Sequence, residues 1–134
     1  MLIDFALNMR TENYKNGQKI FTTGDKAVFF YVIKKGSVKL CFEGLSELSI
    51  VEISEGSYFG EYELMKGEED EGRSFSCYAN EDETVILKIS KEIFTDMFLN
   101  RDSKMGDEFK KIAKARAEEI SVGIKLVEDL LKKF

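Results

Sequence analysis

Apolar residues recur along this chain first at a helical period and then at a strand period. Leu2, Phe5, Ala6 and Met9 fall three and four positions apart, which predicts a short amphipathic helix over residues 1–9. Beyond it the pattern changes. Asn16-Gly17 and Gly24-Asp25 bracket Lys19-Ile20-Phe21-Thr22, and Ala27 to Ile33 is a continuous run rich in aromatic and β-branched residues, so both read as strands joined by glycine turns. After Lys35-Gly36, the residues Val38, Leu40 and Phe42 fall on one face of a strand and Ser37 and Lys39 on the other. Further strands are predicted from Leu48 to Ser54, Ser74 to Ala79 and Glu83 to Ile89, the last two flanking the turn-forming Asn80-Glu81-Asp82. Short strands at this spacing predict a mainly β protein, an antiparallel sandwich or roll.

The period returns to helical at Ser90, a good N-cap, with Glu92 in the first turn and an apolar face of Ile93, Phe94, Met97 and Phe98. A second helix is expected to start between Asp102 and Asp107 and to run to the end of the sequence. Along it Ala113, Ala117, Ile120, Ile124, Val127, Leu131 and Phe134 alternate at spacings of four and three, a heptad seam. Such a seam pairs with another helix, which offers a route to homo-oligomers, or docks on its own domain; Gly123 within it costs roughly 1 kcal/mol. One domain is expected, with the roll and its flanking short helices in residues 1–99 and the long helix in residues 100–134.

Composition narrows the function more than the fold. The 134 residues carry 20 Lys+Arg against 25 Asp+Glu, a net charge of −5, which argues against a nucleic-acid polymer as partner. Histidine is absent, which removes the commonest general base and metal ligand together; neither a metal nor a cofactor is expected. Cys41 and Cys77 sit in strand-like runs outside any Cys-x-x-Cys pair and read as buried thiols of a cytoplasmic protein. No apolar run approaches the roughly 20 residues of a membrane-spanning helix, and the first seven residues are too short and too acidic for a secretory signal.

The segment from Gly56 to Ser76 carries the candidate chemistry. Gly56-Ser57-Tyr58-Phe59-Gly60-Glu61-Tyr62-Glu63-Leu64-Met65 opens on a turn and continues as a single-turn helix. The acidic stretch Glu68-Glu69-Asp70-Glu71 follows, and then Gly72-Arg73-Ser74. Gly60 allows backbone amides to approach an anion, Arg73 can offer a bidentate fork to a phosphate, and Glu61 can accept from sugar hydroxyls. A glycine turn and an arginine are also commonplace in a surface loop. Glu61 and Glu63 have no visible nucleophile or metal partner, so an enzyme is not expected.

The order Tyr14-Lys15-Asn16-Gly17-Gln18-Lys19-Ile20-Phe21, Gly24-Asp25, Phe30-Tyr31-Val32-Ile33-Lys34-Lys35-Gly36-Ser37-Val38, Phe59-Gly60-Glu61 and Arg73-Ser74-Phe75-Ser76 resembles the cyclic-nucleotide-binding domain family over about Phe5 to Leu99. The resemblance implies a β-roll or jelly roll with a C-terminal lid helix, and a phosphate-binding cassette at Gly60 to Ser76. Its ligand contacts would come from Phe59, Gly60, Glu61, Tyr62, Arg73, Ser74 and Ser76. Glu61 would take the ribose 2′-hydroxyl, Arg73 the cyclic phosphate, and the amides near Tyr62 and Ser74 would complete the cradle. The expected function is a regulatory module for cAMP or cGMP, between which the sequence does not choose. The run Phe109 to Glu118 is similar to the segment after this domain in some cation channels, so a channel fragment is the first expectation for the parent and a kinase regulatory protein the alternative.

Three features depart from the family's pattern. Glu63 stands where the family prefers a small residue near the phosphate, Phe75 stands where it usually has alanine, and the interval from Glu61 to Arg73 is lengthened by acidic residues. A carboxylate aimed at the phosphate would repel it. These departures support a different alternative, a roll that has lost its ligand and serves as an interaction or assembly domain.

Overall fold

The computed structural model describes residues 9–42, 49–65 and 72–96, with eight further positions between 111 and 132. Among the described residues the chain runs β1 (Met9–Tyr14), β2 (Lys19–Phe21), β3 (Phe29–Lys35), β4 (Ser37–Cys41), β5 (Ser49–Ser54), β6 (Tyr58–Phe59), α1 (Glu61–Met65), β7 (Ser76–Ala79), β8 (Thr84–Ser90) and α2 (Lys91–Phe94). Two four-stranded sheets result, one in the order β1-β8-β3-β6 and the other β2-β7-β4-β5, and every pairing is antiparallel. Among the described residues this is a mainly β, eight-stranded antiparallel jelly roll, as the strand pattern predicts.

The sequence explains where each strand sits. In β3, Tyr31 and Ile33 face the other sheet and pack with Phe21, Val38, Leu40, Phe59 and Ile86. Phe30 points the opposite way, into a second cluster with Ala27, Leu64, Ile89 and Phe94. The strand is therefore covered on both faces, which is why its apolar run is continuous rather than alternating. β1 is the reverse case. Its residues Arg10 to Tyr14 are half-buried at best, among the described residues it pairs with β8 alone, and its polar composition suits an edge.

Two strands differ from expectation. β1 begins at Met9, the last residue of the predicted N-terminal helix, whose other residues lie outside those described. β6 has only two residues, Tyr58 and Phe59, which pair with Val32 and Tyr31 and lead directly into α1. A two-residue strand holds too little sequence to show a period.

After β8, Ser90 caps α2 as predicted, its hydroxyl accepting from the Ile93 amide at 3.4 Å, and Phe94 is fully buried against Phe30. Met97 and Phe98 lie outside the described residues. So does most of the expected long C-terminal helix, and no helix of that length is established: Lys111, Ala115, Glu118, Val122, Lys125, Leu126, Asp129 and Lys132 are each helical and exposed. The seven seam positions lie outside the described residues. Among the described residues no helix is long and apolar enough to cross a membrane.

Candidate functional site

Arg73 organises the segment that the sequence singled out. It precedes β7 and is held from both sides by backbone: its amide donates to the Asp25 carbonyl at 2.7 Å, and its carbonyl accepts from the Gly24 amide at 2.8 Å. The neighbouring Gly72 forms a bridge with Lys26. The turn at Gly24-Asp25 thus fixes where the arginine starts, and the side chain runs inward to Gly60, Glu63 and Phe29.

Its guanidinium donates to three protein acceptors. Nη1 donates to the Gly60 carbonyl at 2.7 Å and to Glu63 Oε1 at 2.9 Å, and Nη2 donates to the Phe29 carbonyl at 2.5 Å. The Phe21 ring lies 4.4 Å from the guanidinium carbon and Tyr31 5.7 Å, an aromatic backing that favours a cation. Arg73, Glu61 and Glu63 are each only 3% exposed, so these charges lie out of reach of bulk water.

The route of the chain from β6 into α1 depends on Gly60. It has φ +85, and its carbonyl is one of the two that the Arg73 guanidinium reaches. Glu61, Glu63 and Leu64 are the buried residues of α1, so the short helix lays an acidic face, not only an apolar one, on the roll. Glu63 neither points to solvent nor stands alone. It forms a buried ion pair with Arg73, while its second oxygen, Oε2, has no hydrogen-bond donor among the described residues.

The predicted site residues divide accordingly. Arg73 bonds directly to the Gly60 carbonyl, and Gly60, Glu61 and Tyr62 line a small gap between α1 and the core. Phe59 belongs to that core, stacked on Tyr31 with centroids 4.7 Å apart. Ser74 is half-buried beside Arg73 in sequence. Ser76 is fully buried, and its hydroxyl accepts from the Thr23 amide at 3.1 Å. Phe75 fills the roll, with Tyr62 6.0 Å and Phe42 6.3 Å away, ring centre to ring centre. Between α1 and the core a gap of only about 10 Å³ remains, bordered by Glu61, Tyr62, Glu63 and Phe75, which is room for about one water. The acidic stretch Glu68 to Glu71 lies outside the described residues.

Electrostatics in the core follow burial. The Tyr31 hydroxyl is pushed up to about 12 by burial, with Arg73 pulling in the other direction. The Cys77 thiol is also raised by burial and lowered by Arg73. Both cysteines are free and buried. Among the described residues no group of Cys, Asp or Glu is arranged to hold a metal ion. The aromatic backing and the Phe29 carbonyl were not expected from the sequence, in which Phe21 and the run Phe29-Phe30-Tyr31 read as strand residues.

The family model described as the cyclic nucleotide-binding domain matches residues 11–101. The chain belongs to this family. Human cGMP-dependent protein kinase 2 is 30% identical over 89 residues, which are 64% of this chain and 11% of the kinase. The cAMP-dependent protein kinase regulatory subunit of Candida albicans is 38% identical over 58 residues, 43% of this chain and 12% of that protein. This chain of the cyclic nucleotide-binding domain family thus spans about a tenth of the length of these curated relatives. Among solved structures, the regulatory domain of Toxoplasma gondii PKA, crystallised with cAMP, superposes with a TM-score of 0.63 at 22% identity, covering 83% of this chain and 41% of that one. That likeness establishes the shared fold.

Proposed function

We propose that this cyclic nucleotide-binding domain is the non-enzymatic sensor of a kinase-type regulatory protein working in the cytoplasm, with cAMP or cGMP taken at the Gly60–Ser76 segment. The observation that carries the reading is Arg73: a buried guanidinium, anchored through its own backbone and backed by Phe21, just before β7, where the family resemblance expects the phosphate arginine. A cation held this way, in a poorly solvated place, is suited to an anionic group such as a cyclic phosphate. Glu61, buried at the head of α1, is the partner for the ribose 2′-hydroxyl. The helix expected after residue 100 would cover the base, so that ligand biases its position. The curated relatives are a kinase and a kinase regulatory subunit, which favours the kinase-regulatory alternative over a cation-channel parent.

A second reading has a specific observation behind it. With Glu63 already on Arg73 and about 10 Å³ of free space, the roll serves as a ligandless interaction domain that assembles through the C-terminal heptad seam. Titration of the isotope-labelled chain with cAMP and with cGMP, followed by amide NMR, separates the two. Saturable shifts centred on Gly60, Tyr62 and Ser74 are expected, weakened in Arg73→Lys, which keeps the charge but not the planar fork. Absence of shifts up to about 1 mM of either nucleotide would overturn the sensor reading in favour of assembly.

A further inference from the structure

The ion pair between Glu63 and Arg73 is the feature of the site that the proposed function leaves unused. We propose that Glu63 is the specificity-determining residue of this pocket: its carboxylate occupies, on Arg73, the place of a ligand's phosphate, and a cyclic phosphate binds only by displacing it. The inference rests on the reading of Arg73 as the phosphate arginine and concerns what that arginine does before ligand arrives.

Three aspects of the geometry support displacement over a fixed structural pair. Arg73 does not need Glu63 to stay in position. Its amide and carbonyl are clamped by Asp25 and Gly24, and its guanidinium also holds the Gly60 and Phe29 carbonyls over the Phe21 ring. The contact itself is incomplete. Only Oε1 of Glu63 is bonded to the arginine, and Oε2 is a buried acceptor with no donor among the described residues, an arrangement weaker than the two-pronged pairing that a carboxylate and a guanidinium can form. Finally, Glu63 sits on a helix of five residues, α1, so its withdrawal requires a local rearrangement next to Gly60 and leaves both sheets paired.

Charge then sets the selectivity. While Glu63 stays on Arg73 the pair is neutral, and an incoming phosphate meets a buried carboxylate beside the cation. Anionic ligands are penalised by this arrangement, and neutral ligands of the same shape are penalised only by the space that the side chain takes.

The test compares the wild-type chain with Glu63→Gln and Glu63→Ala by calorimetric titration with cAMP, cGMP, adenosine and guanosine, each protein first checked for a cooperative thermal transition. Gln is isosteric and can still accept from Nη1, so it carries the comparison if the alanine variant does not fold. The expected result is a gain of at least about tenfold in affinity for the cyclic nucleotides in Glu63→Gln, with the nucleosides changed by less than about twofold. Equal affinities of wild type and variants for cyclic nucleotide overturn the inference and leave the sensor reading standing. A gain in Glu63→Ala without one in the isosteric Glu63→Gln overturns it, because space and not charge would then be the cause, and so does an equal gain for the nucleosides, which carry no phosphate. Binding by none of the proteins overturns both readings.

Discussion

The ring of Tyr31 occupies the space that a side chain on Gly60 would need. A Cβ built on Gly60 meets Tyr31 Cδ2 at 2.7 Å and Cε2 at 3.2 Å, and it comes within 3.4 Å of Arg73 Nη1. Tyr31 cannot retreat easily, because it stacks on Phe59 and is buried between the sheets. Backbone strain adds to this, since φ is +85. Gly60→Ala is expected to cost about 2–4 kcal/mol, combining strain and overpacking. Gly56→Ala, at φ +84 with nothing within 4 Å, should cost only the strain, about 1 kcal/mol. Urea unfolding of the two variants is the measurement; equal losses would show that the contact with Tyr31 is unimportant.

Removing the cation should be harsher than removing the pair. Arg73→Met leaves the Glu63 carboxylate and the Gly60 and Phe29 carbonyls without this donor, and a loss of about 3–5 kcal/mol is expected. Glu63→Met added to Arg73→Met should recover a large part of that loss, because the stranded buried charge is gone. A double-mutant cycle by urea denaturation reads the coupling directly. Strict additivity would mean that the two groups do not interact in solution.

Stability should fall in alkali. Burial raises Tyr31 to about 12, against an ordinary tyrosine value of 10.0 in the unfolded chain. Between these values the unfolded chain gives up the proton and the folded one keeps it, so the contribution is fully present below pH 10 and disappears as pH climbs toward 12. Tyr14 and Cys77, both raised chiefly by burial, act in the same direction. Tyr31→Phe should therefore flatten, without abolishing, the decline of the urea midpoint between about pH 9 and about pH 11. Parallel declines in wild type and variant would remove Tyr31 as a cause.

Six of the eight strands were legible as runs of apolar or β-branched residues between turns, because each of them lends at least one face to the core. β1 was not, since an edge strand of Arg, Thr, Glu and Asn has no apolar period to read. β6 was too short to have one. In the site, Arg73 and Glu61 could be picked out through the family resemblance, since a glycine turn and an arginine alone are commonplace. The partner of Arg73 could not, because Glu63 lies ten positions away and its direction depends on how α1 turns out of β6 at Gly60.

The sequence by itself determined that this chain forms an antiparallel roll, because turn glycines and short apolar runs are local properties that local sterics and solvation are sufficient to read; the arginine-bearing cassette was legible only through the resemblance to a known family. Tertiary structure alone decided what the arginine faces. Where a carboxylate ends up depends on the crossing of two sheets, the left-handed turn at Gly60 and the burial shared by Glu63 and Arg73, which brings them to 2.9 Å although each residue, taken singly, is indistinguishable from a solvated surface charge. Coulomb attraction strengthens as water is excluded, and only the folded packing says which charges lose their water together.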